Sequence, residues 1–127
     1  MRRFKLKLAV SIFFIIASLL LGCSRNNTLL YTGSGDNWDI KYTVTMFSDK
    51  NNDNYGIYTL TYTGTEKVTG SVSYEITSDF LNESGILPLN NGVIKSRTYD
   101  KYLETENVIT FTIEWNDHQE TILAKKN

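Results

Sequence analysis

Cysteine, proline and histidine are nearly missing from this sequence: each occurs once in 127 residues, as Cys23, Pro88 and His118. A single thiol excludes any internal disulfide, so packing alone must hold the fold together. One histidine without a second cysteine excludes a zinc site built from several such ligands. No run of ten or more residues places its apolar side chains at helical spacing, which argues against long amphipathic helices. Clustered positive charge is lacking too. Four of the 13 Lys and Arg residues precede residue 23 and all 14 Asp and Glu residues follow it, leaving −5 on residues 23–127. Nucleic-acid binding needs Lys and Arg gathered opposite phosphates, and here only Lys125 and Lys126 adjoin. The length suits one domain with a modest core.

What is present is organised from the N-terminus. Residues 1–7 carry Arg2, Arg3, Lys5 and Lys7, and the fourteen residues 8–21 (LAVSIFFIIASLLL) are all apolar or small. A charged segment followed by such a run is the pattern of a secretory signal. A membrane-spanning helix needs about 20 apolar residues, so this run is short for a permanent anchor. Residues 1–22 are therefore assigned to a signal helix, 23–28 to a polar tether and 29–127 to the folded domain.

The run ends in Leu20, Leu21, Gly22 and Cys23. This resembles the lipobox of bacterial lipoproteins: a branched aliphatic residue, a tolerant position, a small residue, then cysteine. The resemblance implies cleavage after Gly22 and a diacylglyceryl group on the Cys23 sulfur. It further implies a membrane-associated protein on the extracytoplasmic face of the cell membrane. Two acyl chains anchor stably where one is marginal.

Beyond the tether, runs rich in Thr, Tyr, Val and Ile favour a pleated, half-buried surface. Along 38–47, Trp38, Ile40, Tyr42, Val44 and Met46 take every second position, a strand signal. The same alternation appears over 55–63, 71–77 and 108–115; 92–99 reads as a further strand without it, and 121–124 completes a hairpin after a turn at 116–119. Turn formers separate these runs at 51–54 and 64–70. Residues 78–91 read as an irregular crossover with a short turn of helix near 80–83. Short, regularly spaced strands predict an all-β protein, specifically an Ig-like antiparallel β-sandwich of about seven strands.

No catalytic, cofactor-binding or metal-ligating set emerges. His118 falls in the 116–119 turn, where solvation is the plain reading, and no oriented Ser-His-Asp arrangement can be assembled around it. The 32–35 segment Thr-Gly-Ser-Gly lacks the Gly-x-Ser-x-Gly spacing of a nucleophile elbow. Asp49, Asn51 and Asp53 occupy positions one, three and five of a possible calcium loop, but Asn54 and Leu60 stand where glycine and glutamate are needed. Trp38 and Trp115 are expected as core anchors. Tyr99 and Tyr102, beside the irregular 98–107 connection, are the tyrosines expected to be exposed.

The domain resembles small lipoproteins of low-GC Gram-positive bacteria in two places. One is Tyr31 through Trp38 (YTGSGDNW), the other Ile113 to Asn116 with Glu120 to Leu123. Both look structural. The expectation is a non-enzymatic binding module of the cell envelope, held at the membrane through its lipid and facing an envelope protein or glycan. A carbohydrate- or peptidoglycan-binding module is the alternative, and it would need two or more of Tyr58, Tyr62, Tyr99 and Tyr102 on one exposed face. A small hydrolase would need two carboxylates converging in a cleft.

Overall fold

The structure, a computed structural model, describes residues 27–47, 53–100 and 102–127. Gly22 and Cys23 lie outside these described residues, as do Asp49 and Asn51 of the possible calcium loop. Eight strands are present: β1 (Asn27–Ser34), β2 (Trp38–Met46), β3 (Tyr55–Tyr62), β4 (Ser71–Thr77), β5 (Asn82–Pro88), β6 (Val93–Tyr99), β7 (Val108–Trp115) and β8 (His118–Lys126). A 3-10 turn, Leu103–Thr105, precedes β7. The described residues contain no α-helix.

All eight strands join one antiparallel sheet in the order β5-β4-β7-β8-β1-β2-β3-β6. The expectation of an antiparallel all-β protein holds. The two-sheet sandwich of about seven strands is replaced by a single curled sheet of eight. The pairing that decides this is β1 with β8, where Tyr31 faces Lys126 and Thr32 faces Lys125. It stitches the β1–β2–β3 meander onto the β7–β8 hairpin, and alternation along a strand carries no information about such a partner.

Curling is visible in contacts between strands far apart in the sheet. Tyr58 of β3 and Tyr74 of β4 pack edge to face at 5.7 Å, and Tyr42 of β2 meets Phe111 of β7 at 6.2 Å. These rings, with Trp38, Tyr31, Ile76, Ile109 and Ile113, are buried. They fill the interior as side chains fill other eight-stranded barrels. Two glycines make room: a Cβ on Gly56 would overlap the Tyr42 ring, and one on Gly85 would overlap the Tyr74 ring.

The barrel nearly closes. Asn91 and Gly92 have φ of 50° and 78°, as a two-residue I′ turn requires, and Asn90 and Val93 exchange backbone hydrogen bonds across it. Beyond this bridge β5 and β6 part and become the two edges of the sheet.

Two elements were not legible as strands. In β5 the inward positions are Glu83, Gly85 and Leu87, so no apolar alternation marks it, and the expected helical turn at 80–83 gives way to the start of this strand. β1 begins at Asn27, where Asn27 and Thr28 pair with Met46 and Thr45, taking up two residues assigned to the tether.

Odd-numbered strands run toward one end, here called the upper, and even-numbered strands run back. The upper end collects the loops 35–37, 63–70, 89–92 and 116–117. The lower end collects the start of β1, the β2–β3 connection (of which Phe47, Asp53 and Asn54 are described), the loops 78–81 and 100–107, and the chain's last residues.

Candidate functional site

Three upper loops converge on Trp115. The β7–β8 connection is only Asn116 and Asp117, with φ of 44° and 62°. Asparagine and aspartate tolerate this left-handed region better than other side-chain-bearing residues, which sets a tight I′ turn. The turn is two residues shorter than the 116–119 span read from the sequence, and His118 becomes the first residue of β8, opposite Trp115.

Asn116 ties the 63–70 loop down. Its Oδ1 accepts from the Thr69 N–H at 2.8 Å, and its Nδ2 donates to the Lys67 carbonyl at 2.7 Å. His118 Nε2 lies 3.1 Å from Glu66 Oε2. Both side chains are more than half exposed, so this pair contributes at most about 1 kcal/mol. The Glu120 carboxylate holds the third loop, with Oε1 accepting from the Asp36 N–H at 2.7 Å and the Asn37 N–H at 3.1 Å.

Beneath these loops Trp38, Tyr62 and Trp115 form an aromatic floor, with centroid separations of 5.1 Å for Trp38–Tyr62 and 5.6 Å for Trp38–Trp115. The core roles expected of both tryptophans hold. Their indole N–H groups are buried without a hydrogen-bond partner among the described residues. Two open grooves flank His118. One, of about 490 Å³, is lined by Asp36, Tyr62, Glu66, Trp115 and Glu120. The other, of about 390 Å³, runs along Ser71, Ser73, Glu114 and Gln119. Carboxylates outnumber cations around both. Among the described residues no group of three His, Cys, Asp or Glu side chains is placed to hold a metal ion.

A second polar cluster lies inside the barrel, beside the parted β5 and β6. The Tyr58 hydroxyl sits 2.9 Å from the Tyr74 hydroxyl and 3.5 Å from Glu83 Oε1, and it also bonds the Ser96 side chain. Burial raises the Glu83 pKa above its ordinary 4.5, partly offset by the Tyr58 hydrogen bond. Burial, and secondarily the Glu106 carboxylate, pushes the Tyr31 phenol up to about 12. No sequence signal points to Glu83, because β5 carries no apolar alternation.

The Glu83 shift has a definite sign. A folded pKa above the unfolded one means the native state holds its proton more tightly. Stability from this group is full below the unfolded value and is lost as pH rises through the folded value. Glu83→Gln should therefore raise Tm at about pH 7 and lose most of that advantage near pH 4. Circular-dichroism melts at both pH values test this; an advantage of equal size at both would contradict it.

Of the four tyrosines among which a glycan platform would need two or more on one exposed face, Tyr58 is fully buried and Tyr62 packs on Trp38. Tyr99 and Tyr102 are exposed as expected, at 62% and 56%. They belong to different ring pairs, Tyr99 with Tyr55 and Tyr102 with Phe80. No family model, no curated protein and no solved structure matches the chain.

Proposed function

We propose that this chain is a lipid-tethered binding module of the cell envelope that presents the His118 grooves away from the membrane. One observation carries the reading. β1 starts at the lower end, so a chain anchored at Cys23 enters the barrel at the end opposite the grooves. Strands of eight residues rise about 3.3 Å per residue, which holds the grooves roughly 25 Å from that entry point. Tethering near the surface also raises the effective concentration of the groove toward any neighbouring envelope partner. The groove rim is exposed, polar and tied by side-chain hydrogen bonds, which suits recognition of a partner's surface more than enclosure of a reacting group.

A photo-crosslinking residue at Gln119, in the intact anchored protein in cells, tests this reading. Discrete adducts are expected at Gln119, reduced several-fold by His118→Ala. The same probe at Lys95, exposed on the outer wall of β6, should give none. Equal adducts at both positions, or none at Gln119, would count against a groove-directed partner.

A further inference from the structure

The exposed apolar side chains are unevenly distributed. Among the described residues, the large exposed hydrophobics are Phe80, Ile86, Tyr99, Tyr102, Val108 and Leu123. Four of the six, Phe80, Tyr99, Tyr102 and Val108, lie at the lower end, at strand termini or in the loops between them. Ile86 and Leu123 lie within strands on the outer wall, and the upper end has none. The upper end instead exposes Asp36, Glu66, Lys67, Asp117 and His118.

The lower aromatics are held out into solvent. Phe80 and Tyr102 stack at 5.3 Å with 31° between their planes. Phe80's backbone N–H donates to Glu106 Oε1 at 2.9 Å, and the Ser78 hydroxyl donates to the same oxygen. The Leu81 N–H closes the loop onto Ser78 Oγ at 3.0 Å. Tyr102 is fixed through its N–H to Asp100 Oδ1 at 2.7 Å, and its carbonyl accepts the Thr105 N–H at 3.0 Å. A loop braced in this way cannot easily fold its ring back onto the core, so Phe80 stays 51% exposed.

Chain length supplies the occupant. Three residues, Ser24, Arg25 and Asn26, separate Cys23 from the first residue of β1. At 3.3–3.6 Å per residue, that span reaches about 14 Å at most. A lipid on Cys23 therefore holds the lower end within the headgroup layer's reach. Tyrosine and tryptophan favour that layer because their apolar rings and polar atoms suit its two environments.

We propose that the lower end of the barrel docks on the bilayer, with the Phe80–Tyr102 pair entering the headgroup layer and Tyr99 and Val108 at its margin. This rests on the lipid-anchor reading above. Docking would turn a tether into an oriented mount and fix the His118 grooves outward. Charge does not drive docking: among the described residues of this end Lys125 and Lys126 are outnumbered by Asp53, Asp79, Asp100 and the buried Glu106, so docking rests on the apolar rings and should persist at high salt.

Lipidation consumes the one native thiol, so an introduced cysteine can be spin-labelled singly. The mature lipidated protein, in phosphatidylglycerol–phosphatidylcholine vesicles, is labelled at Asp79→Cys (lower end) or Thr65→Cys (upper end). A water-soluble nickel relaxant should reach the upper label several-fold more than the lower one. Adding Phe80→Ser and Tyr102→Ser should return the lower label to water while the protein still floats with the vesicles. Equal exposure of both labels, or a lower label unmoved by the serine changes, overturns docking and leaves the anchor intact. A lower label in water on vesicles but shielded by peptidoglycan fragments assigns the face to glycan and overturns the proposal. Absence of both flotation and the diacylglyceryl mass overturns the anchor and docking together.

Discussion

Trp38→Ala should cost about 3–5 kcal/mol of folding free energy, the range for removing a buried aromatic and leaving a cavity. Trp38 is fully buried, pairs with Tyr62 and Trp115, and opens the strand that carries the longest run of inward side chains. Its carbonyl accepts the Gly35 N–H at 2.8 Å, and the neighbouring Asn37 carbonyl accepts the Thr63 N–H at 2.8 Å. The backbone at Trp38 and Asn37 thus ties down two of the loops that build the upper end. Domains of this size hold only about 5–15 kcal/mol in all. At about 4–8 °C per kcal/mol, Tm should fall by on the order of 20 °C. Trp38→Phe should cost less than half as much, because an aromatic ring remains and the indole N–H it discards has no hydrogen-bond partner. Urea unfolding followed by circular dichroism measures both variants. Equal losses for Phe and Ala, or a loss below about 1 kcal/mol for Ala, would contradict this account of the core.

Cys23→Ala should abolish incorporation of labelled lipid and shift the chain out of the lipid-anchored fraction by more than tenfold. The expected size follows from acyl arithmetic. One acyl chain gives marginal, reversible binding with an association constant of about 10⁴ M⁻¹, and two chains anchor stably. The Phe80–Tyr102 contact adds orientation but cannot replace the lipid. Metabolic labelling with a fatty-acid analogue reads the chemistry, and detergent phase partition reads the anchoring. Continued labelling of the alanine variant would overturn the lipobox reading. The domain's melting temperature should not move, since Cys23 precedes the first strand.

Most of the strands were legible because their physics is local. β4 and β7 match the runs 71–77 and 108–115 residue for residue, and β2, β3 and β6 match within one residue at an end. In β2, β3, β4 and β7 most side chains on every second position are apolar because they line an interior, and that rule is written directly in the chain; β6 follows it only at Ile94, since Ser96 and Thr98 also face inward. β5 escaped because its inward positions hold a carboxylate and a glycine. Glu83 is tolerated there beside the Tyr58 hydroxyl, and Gly85 is needed because the Tyr74 ring occupies the space of a side chain. Neither neighbour is near in sequence. The upper-end site escaped for the same reason. His118 was readable as an exposed turn residue, but Glu66, 52 positions away, reaches it only because the 63–70 loop is tied to Asn116.

By itself, then, the sequence determined the all-β class, the absence of disulfide support, the core roles of Trp38 and Trp115, and the exposure of Tyr99 and Tyr102. The first three follow from composition or from the two-residue period of a strand, the last from the irregular 98–107 connection. Tertiary structure alone decided that eight strands form one curled sheet, that β8 pairs with β1, and that β5 and β6 part around a buried polar cluster. It also decided that the grooves and the start of β1 occupy opposite ends. These are matters of which strand lies beside which, set by long-range packing of rings such as Tyr42, Tyr58 and Phe111. Alternation tells a strand which face to bury but not which neighbour to choose.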